Sequence, residues 1–277
     1  MRTLRRARGF TLIEAIIVMV ITGILAGMVA IFITAPVQSY VDSAARAEMT
    51  DIADLALRRI SRELRLALPN SIVVSADRKT IQFLLTKTGG RYVDAADSPP
   101  ASQSPLDFSP SASLSFNLAG AAPTGRQQIL AGDYVVVFNL GVAPANAYAG
   151  GNIAQIAAVN GTRITMASNP FAAAVPSMPS PTNRFQVVTG TVTYVCDPQA
   201  GGAGTLTRYS SSAILNGAAT APFGTGALLA NRVSGCGFDY TVLANTNAAL
   251  VGTTLGLSRS NGETVNLVRQ VHVDNTP

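Results

Sequence analysis

Three textures follow one another along the chain. From Phe10 to Ile33 apolar residues run almost unbroken, FTLIEAIIVMVITGILAGMVAIFI, with Glu14 as the one charge. From Val41 to Leu68 they recur at every third or fourth position instead: Ala45, Met49, Ile52, Ala53, Ala56, Ile60, Leu64 and Ala67. After Asn70, short runs of β-branched and aromatic residues alternate with Gly, Pro, Ser and Asn. The first texture predicts a membrane-spanning helix, because its 24 residues extend about 36 Å at about 1.5 Å per residue. The second predicts an amphipathic helix. The third predicts strands and turns.

The polar side of the amphipathic stretch carries Asp42, Arg46, Glu48, Asp51, Asp54, Arg58, Arg59, Arg62, Glu63 and Arg65. Acids dominate early and arginines late, which suits the helix dipole. These charges read as a solvated face, with contacts between subunits as the alternative. Pro69-Asn70 is expected to stop the helix. Continuous from Phe10, the stem would be about 87 Å long. Pro36 is expected to kink it or to mark where it leaves the bilayer.

In the remainder, strands are expected at Thr80–Leu85, Tyr134–Leu140, Arg163–Ala167, Phe185–Cys196, Thr205–Tyr209, Gly237–Val242, Leu250–Leu257 and Thr264–Val273. The last two flank Ser258-Arg-Ser-Asn-Gly262, so they predict a hairpin. Asp94–Arg126, Ala143–Asn152 and Asn169–Thr182 read as long surface loops, either flexible decoration or partner-facing. The fold class is α+β: a long N-terminal helix packed on a β-rich head.

Composition sharpens this picture. The chain has 277 residues, 48% hydrophobic and only 13% charged. That balance fits a membrane segment joined to an outer domain better than a cytosolic enzyme. The net charge of +5 comes largely from Arg2, Arg5, Arg6 and Arg8, four of the 20 basic residues. Without them the charge is near neutral, so no nucleic-acid footprint stands out. Four arginines before the span and none until Arg46 place the N-terminus in the cytoplasm.

Cys196 and Cys236 are the two cysteines, and His272 is the one histidine. A Cys/His metal site wants about four ligands at close spacing. A single disulfide is the better reading and calls for an oxidising compartment. The loop it closes is about 40 residues, for which the chain-entropy argument gives roughly 4 kcal/mol. No phosphate-binding loop is present; Gly201-Gly202-Ala-Gly204 reads as a turn. His272 alternates with Val271 and Val273 and is expected to point outward from a strand. Asp94 and Asp97 lack the dense Asp/Asn pattern of a calcium loop. No cofactor, metal or enzyme activity is expected.

Glu14 needs an explanation. A carboxylate in a spanning helix costs about 2.5–3.5 kcal/mol, less near the interface. No Lys or Arg lies within one turn downstream. Cleavage between Gly9 and Phe10 would make the Phe10 α-amine a cation that pairs with Glu14 of its own chain or of a neighbour. A simple signal anchor is the competing reading of the span. Gly23 and Gly27 form a G-x-x-x-G, either a close-packing face or ordinary membrane-helix glycines.

The basic leader, Gly9, Phe10 and Thr11-Leu12-Ile13-Glu14 resemble the class III signal of type IV pilins and type II secretion pseudopilins. That resemblance implies cleavage after Gly9 by prepilin peptidase and N-methylation of Phe10. It also implies that Glu14 guides docking onto a growing filament. The implied layout is a leader at 1–9, a transmembrane helix at 10–36, an amphipathic stem helix at 37–69 and a β-rich head with one disulfide at 70–277. Stems of this family can partly melt when packed, which draws attention to Gly23, Gly27 and Pro36.

Arg184-Phe-Gln-Val-Val, Val192-Thr-Tyr-Val-Cys196-Asp, Leu206-Thr-Arg-Tyr209, Cys236-Gly-Phe-Asp-Tyr240 and Gly262-Glu-Thr-Val…Gln270-Val-His-Val-Asp-Asn275-x-Pro277 are similar to the MshO group, minor pilins of the mannose-sensitive haemagglutinin (MSHA) pilus system. The resemblance implies a low-copy subunit that helps initiate assembly and forms the tip region. Its partners would be other minor and major pilins through the N-terminal helix, prepilin peptidase, the inner-membrane assembly platform and, before assembly, inner-membrane lipid. It would sit in the inner membrane as a single-pass protein with a periplasmic head, then at the pilus tip. A J-type minor pseudopilin of type II secretion and an adhesive tip subunit remain open alternatives. So do a DNA-uptake pilin and an anchored periplasmic enzyme.

Overall fold

The computed structural model describes residues 9–109, 113–221, 223–243 and 247–277. Arg2, Arg5, Arg6 and Arg8, and residues 110–112 of the first expected loop, lie outside the described residues. The architecture is α+β and pilin-like: one long N-terminal helix, α1 (Leu12–Leu64), then a β-rich antiparallel head. The chain divides into two compact units, 1–48 and 49–277.

In the first unit α1 is apolar and exposed. Apart from half-buried Ala15, every side chain from Leu12 to Ile33 faces outward. The helical span includes Pro36. This stretch is long and apolar enough to cross a membrane.

In the second unit the stripe expected from periodicity is the buried one. Met49, Ala53, Ala56, Ile60 and Leu64 are buried, joined by Leu57. The helix ends at Leu64, before Pro69. Leu66 and Ala67 donate to Glu63 and Leu64, tightening the last turn to three-residue spacing. The chain then pairs with a strand: the Leu68 amide donates to Leu84 and the Thr86 amide to Leu66, at 2.8 Å each. Backbone groups that helix continuation would satisfy find partners there instead.

The head is built from β1 (Val73–Val74), β2 (Thr80–Arg91), β3 (Ser115–Asn117), β4 (Tyr134–Val136), β5 (Ile153–Asn160), β6 (Arg163–Met166), β7 (Arg184–Asp197), β8 (Gly204–Ser211), β9 (Thr225–Val242), β10 (Ala248–Ser258) and β11 (Thr264–Asp274). All pairings are antiparallel. The main path runs β11-β10-β9-β8-β7-β4-β5-β6-β3. β7 is the branch point. One of its edges pairs with β2; the other serves β4 with its first part and β8 with its second. The changeover falls at Gly190, whose φ of +138° and close approach to Ser211 O leave no room for a side chain.

Two main cores result. The stripe of α1 packs with Ile81, Phe83, Tyr194, Leu206, Phe238, Leu255 and their neighbours. A second core gathers Leu106, Phe116, Ile129, Val135, Ile156 and Phe171 under β3–β6. The second corrects the loop reading. Asp94–Arg126 contains β3 and buried Leu106, Phe116 and Leu118, and Asn169–Thr182 contains buried Phe171. These segments bury too much apolar surface to be decoration. The predicted hairpin is present: β10 and β11 pair without a bulge from Ser258↔Thr264 to Ala248↔Asp274.

Candidate functional site

Two sets of residues matter, one in each unit. In the first, Thr11 precedes the helix and its hydroxyl accepts from the Glu14 amide at 3.3 Å. The Ala15 amide donates to Thr11 O at 3.2 Å, opening the helical ladder. Thr11 is therefore the N-cap and Glu14 the third helical residue, the T-x-x-E spacing of a capping box. A carboxylate in the first turn also faces the positive end of the helix dipole, a contribution of about 0.3–1 kcal/mol. The signal for this local role of Glu14 is the Thr11-Leu-Ile-Glu14 spacing itself.

Gly9 and Phe10 precede the helix in extended, exposed chain; Phe10 is 81% exposed. The Glu14 side chain is exposed and has no ion pair among the described residues. In the apolar run the Thr22 hydroxyl donates to Val18 O, which keeps a polar group paired inside the helix. Methyl groups added at Gly23 and Gly27 would meet nothing within 4 Å. Their faces are open.

The second set ties the stem to the head. Glu63, expected among the solvated charges, is instead held by the sheet. Arg208 on β8 donates to both its carboxylate oxygens, at 2.8 and 3.1 Å. The Tyr194 hydroxyl donates at 2.7 Å, and Arg59 lies at 3.5 Å. Burial and then the Glu63 charge push the Tyr194 phenol well above its ordinary range. Asp54 bridges Arg58 of its own helix and Arg269 of β11. Sequence periodicity places these charges off the apolar stripe. It does not say which of them the sheet reaches.

Where the stem enters the head, three asparagines interlock. Asn70 donates through Nδ2 to Asn139 O at 2.8 Å and Asn275 O at 3.1 Å. Its amide donates to Asn275 Oδ1 at 3.1 Å. Asn139 Nδ2 donates to Pro69 O at 2.6 Å. Asn275 Nδ2 reaches the Tyr240 hydroxyl at 3.0 Å. Asn70 adopts the left-handed conformation, φ 57°, which asparagine tolerates better than most residues.

Cys196 on β7 and Cys236 on β9 are disulfide-bonded, with Cα atoms 6.5 Å apart. They brace strands on either side of β8 against the first core. His272 is exposed between buried Val271 and Val273, as the alternation predicts. Asp94 caps a short 3₁₀ turn by accepting from the Ala96 amide. Gly201 and Gly202 form a turn before β8. Among the described residues no group of three or more His, Cys, Asp or Glu is placed to hold a metal.

Comparison with known protein families finds the prokaryotic N-terminal methylation motif over residues 4–34. Comparisons with curated proteins and with solved structures give no match. The motif's family is structural rather than catalytic, and the motif implies processing by prepilin peptidase and assembly with other pilins. The exposed apolar helix behind it fits a single-pass membrane anchor. Together, the methylation motif and the helix that follows it indicate a type IV pilin or pseudopilin.

Proposed function

We propose that this chain is a minor, low-copy pilin that helps initiate an MSHA-type type IV pilus and stands in its tip region. Prepilin peptidase cleaves between Gly9 and Phe10 and methylates the Phe10 amine. The new cation pairs with Glu14 across neighbouring helices in lipid and fixes their register. Partners are the other minor pilins above and beside it, the major pilin below, and the inner-membrane assembly platform. The head is periplasmic before assembly and is carried outward at the tip.

The observation that carries this is the methylation motif leading into a helix whose apolar side chains are exposed from Leu12 to Ile33. Such a surface wants lipid first and other helices afterwards. The head adds a second support. It has two main cores and eleven strands among the described residues, large for a unit repeated along a thin shaft. The same long stem and large β head also suit a J-type minor pseudopilin, for which exoprotein release would fail while piliation stays intact.

Mass spectrometry of the mature protein tests the reading. A product beginning with N-methylated Phe10 is expected, and a retained leader in normal cells overturns it. Glu14→Ala should leave cleavage unchanged and reduce recovery in sheared filaments; equal recovery contradicts the docking role.

A further inference from the structure

β11 is an edge strand. It pairs with β10 on one side and with nothing on the other among the described residues. Natural sheets blunt such edges with Pro, Lys, bulges or short strands. β11 has none of these: it is 11 residues long, its register with β10 is unbroken, and it contains neither Lys nor Pro; its charged side chains are Arg269, paired with Asp54, and Asp274. Its outward row runs Thr264, Asn266, Val268, Gln270, His272, Asp274, with Val268 70% exposed. Half of its backbone amides and carbonyls therefore face solvent in a straight line.

A groove opens beside this strand. Leu55, Arg58, Ser61, Arg62 and Arg65 of α1 line it with Arg269 of β11, enclosing about 440 Å³. Leu55 is 68% exposed, and Arg58, Arg62 and Arg65 are exposed. Asp54 engages Arg58 and Arg269. Arg62 and Arg65 have no carboxylate partner among the described residues. Asp51, one turn before Leu55, and Glu48, two turns before it, are the other acids along this side of the helix. Asp54 thus answers two of the four guanidiniums at the groove, and Arg62 and Arg65 are left for an occupant.

The two features ask for one occupant. The edge requires an extended backbone, and the groove requires carboxylates. We infer that the β11 edge and the arginine groove bind an acidic, extended segment of a partner protein by strand addition. The added strand lies about 4.8 Å beyond β11. Alternate side chains then point toward α1, where acids meet Arg62 and Arg65 and an apolar residue covers Leu55. Bidentate pairing suits arginine to carboxylates. This goes beyond the pilin reading and does not depend on it, since every residue involved lies in the second unit.

The test uses the full chain in detergent micelles and three labelled heptapeptides, read by fluorescence anisotropy. One alternates Val and Glu, one alternates Val and Lys, and one is the Glu peptide with every backbone amide N-methylated. The Glu peptide should bind at least about tenfold more tightly than the Lys peptide. Methylation should abolish binding, because it removes the ladder donors. Arg62→Glu with Arg65→Glu should weaken the Glu peptide about tenfold or more, with an unchanged melting curve; Arg62→Ala with Arg65→Ala serves if charge reversal disturbs the fold. Equal binding of Glu and Lys peptides, binding that survives methylation, or no binding at millimolar peptide overturns the proposal. So does a dimer of the chain that Val268→Lys dissolves and the Glu peptide leaves intact, for then the edge's occupant is a second copy.

Discussion

Leu12–Ile33 and Met49–Leu64 belong to one helix and have opposite surroundings. The first shows its apolar side chains on every face, while the second hides a single stripe against a sheet. The difference follows from pattern. A run that is hydrophobic all round has no polar side to give to water, so it needs lipid or other helices. A stripe with period near 3.6 needs one covering surface, and the head of the same chain supplies it. Glu14 and Glu63 repeat the contrast. Glu14 has no ion pair among the described residues, whereas Glu63 is clasped by Arg208 and Tyr194. One acid is committed within the chain and the other is available to a neighbour.

Four experiments sharpen or break that contrast, each read as the unfolding free energy of the head. The largest effect belongs to Glu63→Ala, which strands Arg208 and Tyr194 in a mostly buried setting and should cost about 3–5 kcal/mol. Glu14→Ala should leave the same melt unmoved. A loss under about 1 kcal/mol for Glu63→Ala would mean that solvent screens the cluster. Next, replacing both Cys196 and Cys236 by Ser should cost roughly 4 kcal/mol, from the freed loop in the unfolded chain. Ile60→Ala comes third at about 3 kcal/mol, because it opens a cavity in the first core. Its counterpart Ile24→Ala, in the exposed run, should cost the head nothing measurable. Equal losses from the two would refute the division.

Tyr194→Phe has the smallest effect, about 1.5–3 kcal/mol for one hydrogen bond to a carboxylate at neutral pH. Its pH signature is more informative. The Tyr194 phenol is held above its ordinary range, so the folded state keeps its proton where the unfolded chain has lost it. That stability is fully present below the unfolded value near 10 and is lost as pH rises beyond it. The head should therefore weaken in alkali, and Tyr194→Phe should lessen the slope. Some slope should remain: burial also raises Tyr148, and it pushes Tyr92 up to about 12.

The stem was readable because its periodicity extends over many turns. The C-terminal hairpin was readable because Asn261-Gly262 lies between two runs of β-formers. The second core was not, for reasons visible in its residues. Ile153–Asn160 reads IAQIAAVN, where alanines on both faces blur the alternation that marks a strand. In the first core, Thr225–Arg232, the first part of β9, is rich in Gly, Ala and Leu and shows the same defect. Leu114-Ser-Phe-Asn-Leu118 does alternate, but the Ser, Pro and Gly around it conceal the signal. The candidate assembly residues announce themselves by local order in the chain. The Glu63 cluster and the asparagine interlock join residues more than 130 and more than 200 positions apart, which no local pattern encodes.

The interlock of Asn70 with Asn275 also orders events in time. Asn275 is made some two hundred residues after Asn70, yet it supplies the acceptor for the Asn70 amide and the carbonyl for its side chain. A ribosome must reach Asn275 before the doorway where helix meets sheet can be bolted. A chain cut just short of Asn275 should thus keep its strands and lose its latch, leaving that doorway ajar to proteases.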